Sequence, residues 1–225
     1  MAETHLDRTL DRRQRKSRSA LQHALIDLIA SQPYDSVTID DVTEAADVAR
    51  ATFYAHYKDK SALLEATVAD LISDLAATVP ALAAREGTIF TGAVSIAGFR
   101  HAEAHRDLYL LVLSGAGGAR ARAAMVSAVR EAAAVVFADY LARNAVTPRA
   151  PMSLISATYA GAHLLAVELW LGGELRGTAE EVASLVVRDQ LLGVEWALGF
   201  EPGSLVYEPV AADADELLAD RAGPS

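Results

Sequence analysis

The chain has 225 residues, 52% of them hydrophobic, and no cysteine. That is enough length for one or two domains with a packed core, and it excludes disulfide and thiolate chemistry. The net charge of −10 argues at first against a polyanionic partner, but residues 1–60 hold nine basic against ten acidic side chains, while the other 165 hold eleven against twenty.

Within the first part, RTLDRRQRKSR (8–18) sets six basic residues against one acid, a local cationic arm that the net charge hides. The N-terminal stretch has no apolar run of the kind a secretory leader needs. The most apolar segment, 154–173, carries His163 and Glu168 and reads as a buried helix, not a membrane span. A cytoplasmic protein with no membrane partner is expected.

Apolar residues recur at three- and four-residue spacing throughout, and β-branched alternation is absent, so the chain reads as all-α. A first helix is expected over about 12–31, with Leu21, Leu25, Leu28 and Ile29 on one face. SQPYDS (31–36) breaks it. A short second helix follows, with Thr38 as its N-cap, Asp41 completing a capping box, and Ile39, Val42 and Ala46 as its buried stripe. Asp47 interrupts, and a third short helix spans about 49–57. Asp59 is placed to cap a long helix running to Val79 and stopped by Pro80. Further helices are expected near 88–105, 106–114, 119–145, 151–173 and 178–200, and the tail from Glu201, polar and acidic, is expected to be poorly ordered. The organisation is then an N-terminal three-helix domain (1–60) with its basic arm, a larger helical domain (61–200), and the tail (201–225).

Two short helices joined by a tight turn, the second rich in side chains that suit DNA, make a helix-turn-helix pattern. Ile39, Val42, Val48 and Phe53 form its small core, and Tyr57 shares the face of Phe53. The other side of the third helix presents Arg50, Ala51, Thr52, Tyr54 and Ala55. Small residues allow close approach to the groove floor, Arg50 has the fork geometry for guanine, and Thr52 suits a thymine methyl or a phosphate. Tyr54, His56 and Lys60 have reach and donors for phosphate oxygens.

The run VTIDDVTEAADVARATFYAHYKDKSALL (37–64) resembles the DNA-binding domain of the TetR family of transcriptional regulators, the likeness extending over about 15–68. The resemblance implies a helix-turn-helix domain followed by a ligand-binding and dimerisation domain. It implies base and phosphate contacts from Arg50, Ala51, Thr52 and Tyr54, backbone contacts from Thr38, His56 and Lys60, and a phosphate-binding arm at Arg12, Arg13 and Arg15. The family usually has glycine where this chain has Asp47, and often serine where it has Ala49; aspartate tolerates the left-handed turn better than most residues.

Two further expectations concern the larger domain. In 178–200, Val182, Leu185, Val186, Leu192, Trp196 and Phe200 fall on one face and Val187, Leu191, Val194 and Leu198 on the opposite one, so the helix is covered on both sides. With the family's habit of pairing its last two helices between subunits, the second face is expected at a homodimer interface. For an effector, Tyr159, His163 and Trp170 share a strip that suits either an aromatic cavity wall or core and dimer packing. His101 and His105, at i,i+4 spacing, suit a pocket lining or the surface; no third ligand for a metal is evident. A nucleophile elbow, a phosphate-binding glycine loop and a metal motif are all missing, so neither an enzyme nor a cofactor is expected. The function that follows is a repressor released from a double-stranded, pseudopalindromic operator by a small apolar or aromatic effector. The competing reading is a ligand-binding or interaction protein of the same fold with weak or lost DNA binding.

Overall fold

A computed structural model describes residues 3–83 and 92–201, with side chains left undescribed through Asp11, at Ala83 and at several positions between Leu191 and Ala197. Among the described residues there are helices and no strand. The expected start of a helix at 88 and the tail beyond Glu201 lie outside these residues.

The first helix, α1, runs over Glu3–Ser31, nine residues longer at its start than the apolar pattern indicated. The extension has only Leu6 and Leu10 as apolar residues, too few for a stripe, and contains neither glycine nor proline to break a helix. Leu21, Ala24 and Leu25 are buried on its inner face. A single 3-10 turn, Tyr34–Ser36, leads to α2, Ile39–Ala45. The capping box forms as expected: the Asp41 amide donates to Thr38 Oγ1 at 3.1 Å and the Thr38 amide to Asp41 Oδ2 at 2.8 Å. Those bonds, the backbone one first, hold the Asp41 carboxyl below its usual pKa. Asp47 takes the left-handed conformation, φ 51°, and lets the chain reverse into α3, Arg50–His56.

The next helix, α4, spans Lys60–Ala83, its first turn capped by Asp59 Oδ1 accepting from the Ala62 amide at 2.7 Å. Pro80 lies inside it and does not stop it. An internal proline costs about 3 kcal/mol of helix stability. Here the ring faces outward while Val79, 5% exposed, holds that turn in an apolar cluster with Phe137 and Tyr140 of the later helix α7. Then come α5 (Ala93–Ala104), α6 (Arg106–Leu113), α7 (Ala119–Asn144), α8 (Met152–Gly172) and α9 (Ala179–Leu198), within a few residues of the expected spans. Past α9, Gly199 has φ 92°, and a Cβ there would meet the Thr147 carbonyl oxygen at 2.4 Å, so no other residue fits.

Packing is tightest between α4 and α7, α7 and α8, and α5 and α9. One core runs without a break from Leu21, Val42 and Phe53 through Leu63, Leu64 and Val68 to Phe99, Leu108 and Trp170. A second joins Val79, Phe137, Tyr140, Ile155, Val187 and Leu198. The helix-turn-helix therefore rests on the same apolar mass as α5, α6 and α8.

Candidate nucleic-acid interface and a buried cavity

Phe53 anchors α3. It is fully buried, 5.9 Å from the ring of Tyr57 and edge-on to Tyr54 at 5.4 Å. With Phe53 and Tyr57 inward, Arg50, Ala51, Tyr54 and Ala55 are exposed and Thr52 half-buried, as expected of a recognition face. Ala49 supplies no side-chain cap; the first turn closes through the Thr52 amide on the Ala49 carbonyl at 2.8 Å. Arg50 is held across the turn by the carboxylate of Asp40 on α2, and it lies 3.4 Å from the Tyr54 hydroxyl. Both ion-pair partners are well exposed, so the pair is weak and exchangeable for a phosphate or a guanine. Asp40 escaped the sequence reading, because ten residues separate it from Arg50 and the turn alone brings them together.

Three other DNA-side candidates have structural duties. Lys60 donates to the carbonyls of Tyr34 at 2.6 Å and Val37 at 2.7 Å, and its ammonium lies 4.2 Å from the centre of the Tyr34 ring. Burial lowers its pKa. In this arrangement Lys60 clamps the α1–α2 loop to α4. His56 Nε2 pairs with Ser17 Oγ at 2.8 Å, tying the end of α3 to α1. Thr38 is exposed but serves the α2 cap. Arg12, Arg13 and Arg15 are exposed on α1, at the start of the span expected to be helical.

In the larger domain a cavity lies between α4, α5, α6, α7 and α8. A water-sized sphere's centre can roam ≈ 70 Å³ of it, and the whole unfilled space, opening included, is ≈ 780 Å³. One water needs about 10–15 Å³ on the first measure, so the space suits a small organic molecule. Its α4 and α7 walls are mostly aliphatic (Ile72, Leu75, Val79, Val129, Val136), and its α5 and α8 walls carry Ser95, Gly98, Tyr159 and His163. Ser95 Oγ and the Tyr159 hydroxyl lie 2.5 Å apart, and Tyr159 stacks on His163 with centroids at 5.7 Å and planes 19° apart. Tyr159 and His163 thus line a cavity, as one of the two sequence readings had it. Trp170 does not: its indole N–H is spent on the Gly177 carbonyl at 2.9 Å inside the first core. His101 and His105 lie outside the lining; His101 Nδ1 meets the hydroxyl of Tyr109, itself a lining residue, at 2.9 Å. Among the described residues no group of three or more candidate ligands could hold a metal.

His163 is 6% exposed, and its Nδ1 has no hydrogen-bond partner. Such an orphan costs about 1–3 kcal/mol. Burial pushes its pKa down to about 4. Between pH 6.5 and 4 the unfolded chain therefore binds a proton that the folded one refuses, and stability falls as the pH drops through that window. Desolvation, with the charge of His105 second, moves His101 the same way. Taking the protein from pH 7 to 5 is expected to cost on the order of 2 kcal/mol through His163. His163→Phe should shrink that loss, measured as unfolding midpoints at the two pH values; an undiminished loss would refute the assignment.

The expected dimer residues fall differently. Val187 and Leu198 are 1% and 2% exposed and close into the protomer's own second core against Phe137, Tyr140 and Ile155, so they are not available to a partner. The side chains of Leu191 and Val194 lie outside the described residues. Among the described residues an exposed apolar face lies on α8, where Leu154 and Leu165 are 55% and 54% exposed.

A capped short helix, a left-handed turn and a second short helix with an outward Arg–Thr–Tyr face define a helix-turn-helix protein. Residues 22–67 match the family model of bacterial regulatory proteins, tetR family, which covers the helix-turn-helix segment. Over 67 residues it is 40% identical to the uncharacterized HTH-type transcriptional regulator YxbF of Bacillus subtilis (strain 168), a match covering 29% of this chain and 18% of that protein. Its fold is similar to that of a putative TetR-family regulator from Syntrophomonas wolfei (TM-score 0.67, 16% identity, 80% of this chain and 95% of the other). It is also similar to Thermus thermophilus FadR in complex with lauroyl-CoA (0.63, 21%, 87% and 99%). A third is RolR in complex with resorcinol (0.59, 17%, 86% and 98%).

Proposed function

We propose that this protein is a homodimeric repressor that binds a pseudopalindromic DNA operator through α3 and is released by a small apolar or aromatic molecule taken into the cavity. The observation that carries the reading is the division of α3, with Phe53 buried beneath it and Arg50, Ala51, Thr52 and Tyr54 outward. Solved relatives of the fold hold resorcinol or lauroyl-CoA, which supports a ligand-responsive domain here. A route between the two sites is supported by α4. Its second half lines the cavity, and its first half is tied to α1 by Arg18 on Asp70, at 2.8 and 2.9 Å, with Gln22 on the same carboxylate at 2.8 Å. A ligand acts along that route only by binding one arrangement of α4 better than the other.

In a gel shift with the chain's own upstream DNA at low salt, Arg50→Ala is expected to weaken binding by about 1–3 kcal/mol, roughly five- to 150-fold, with an unchanged unfolding midpoint. Contact with about 6–10 phosphates implies a loss of about three to five orders of magnitude in affinity between 50 and 200 mM salt. The Asp40 carboxylate on Arg50 and the acid at Asp47 favour a second reading, a ligand-binding protein of this fold with weak or lost DNA binding. Absence of a salt-sensitive complex, with Arg50→Ala behaving as wild type, would decide for it.

A further inference from the structure

Resting on the reading of the cavity as an effector site, we infer that its ligand is a small, uncharged, apolar molecule carrying a hydroxyl group, and that this hydroxyl hydrogen-bonds the imidazole of His163. Three observations carry this. Among the described residues, the lining holds no aspartate, glutamate, lysine or arginine, so an ionised ligand would lose its hydration with no opposite charge to receive it. The polar side chains of the lining are Thr78, Ser95, Tyr109, Tyr159 and His163, and most are already engaged: Thr78 with the Leu75 carbonyl, Ser95 with Tyr159, and Tyr109 with His101. His163 is the exception, a buried lining residue with an imidazole nitrogen that has no partner. Burial keeps that ring neutral at neutral pH, so one nitrogen donates and the other accepts. A hydroxyl both donates and accepts and therefore serves either tautomer. A carbonyl or ether serves only one.

Gly98 makes room for the ring. A Cβ at that position would stand 3.3 Å from His163 Nε2, closer than side chains ordinarily approach, and Gly98 itself lines the cavity. Gly98→Ala should then weaken binding while leaving the fold intact, since alanine is the better helix former within α5.

The test uses the full chain and a matched set of probes: p-cresol, 1-hexanol, toluene, benzoate and benzylamine, titrated at pH 7.5 by calorimetry with the unfolding midpoint as a second readout. A hydroxylated probe is expected to bind at least about fivefold more tightly than toluene, the worth of one net hydrogen bond. Whether p-cresol or 1-hexanol binds better assigns the hydroxyl to a phenol or to an aliphatic alcohol. Benzoate and benzylammonium should bind at least tenfold more weakly than the better hydroxylated probe. His163→Phe should still take up toluene but lose the preference for the hydroxyl. The inference is overturned if either ion binds as well as the neutral probes, if no neutral probe binds, or if His163→Phe keeps the preference. A gel shift separates this from the regulatory reading. Binding of p-cresol without release of DNA would sink the effector role and leave the ligand class standing. Release by benzoate but by neither hydroxylated probe would do the reverse.

Discussion

Phe53→Ala is expected to destabilise the protein by about 3–5 kcal/mol and to abolish operator binding, whereas Tyr54→Ala, one residue on, should leave the unfolding midpoint almost unmoved. The two rings are edge-on neighbours, yet Phe53 is 0% exposed and Tyr54 49%. Truncating Phe53 opens a hole where α3 meets Leu21, Val42 and Tyr57. A short helix of seven residues has too few hydrogen bonds to persist without that anchor. A typical domain holds only about 5–15 kcal/mol in total, so this loss would leave α3 unseated at ordinary temperature. Tyr54 removes only surface contact and the weak link to Arg50. Denaturant midpoints of both variants, read beside their gel shifts, check the claim; equal midpoints would mean that α3 is not seated as described.

The parts of this architecture that were legible in advance are those written locally. Thr38 and Asp41 sit three residues apart and close a box on one helical turn, so their bonds could be named before any coordinates. Asp47 likewise declared its left-handed turn by standing where a glycine would otherwise serve. What could not be read was set by tertiary neighbours. Pro80 marks an end only if nothing holds the turn around it, and Val79, buried in the second core, does so. Lys60 carries the same charge as any phosphate contact, and only the fold shows two carbonyls and a tyrosine ring beneath it.

Two of the expected dimer residues, Val187 and Leu198, are placed differently by the fold for a related reason. A helix with two apolar faces must be covered twice, but periodicity does not say by whom. For α9 the second cover comes, at Val187 and Leu198, from α7 and α8 of the same chain. The cavity was half legible: Tyr159 and His163 were marked as a strip, while the aliphatic walls from α4 and α7 look like any core until a void is found between them.

If the protein is the homodimer proposed above, placing glutamate at both Leu154 and Leu165 is expected to leave it monomeric, while Val187→Glu should unfold the protomer instead. The proposal that α8 carries the twofold contact rests on its outer face. Leu154, Ala157, Thr158, Gly161, Ala162 and Leu165 are all exposed, and they recur at the three- and four-residue spacing of one helical side. No charge occurs in α8 before Glu168. Two large exposed leucines flanking small residues make a surface that water solvates poorly and that a second helix can approach closely. At an isologous contact each substitution appears twice, so the double variant would bring four like charges into an apolar seam without partners. That penalty runs to several kcal/mol, more than enough to dissociate a dimer at micromolar concentration. Because both leucines are more than half exposed in the protomer, its helical content should survive. Operator affinity should fall with dimerisation, since a monomer reads one half-site. Sedimentation and circular dichroism on the two variants separate the outcomes. A double variant that stays dimeric moves the interface off α8, and a folded Val187→Glu dissociating to monomers would return it to α9.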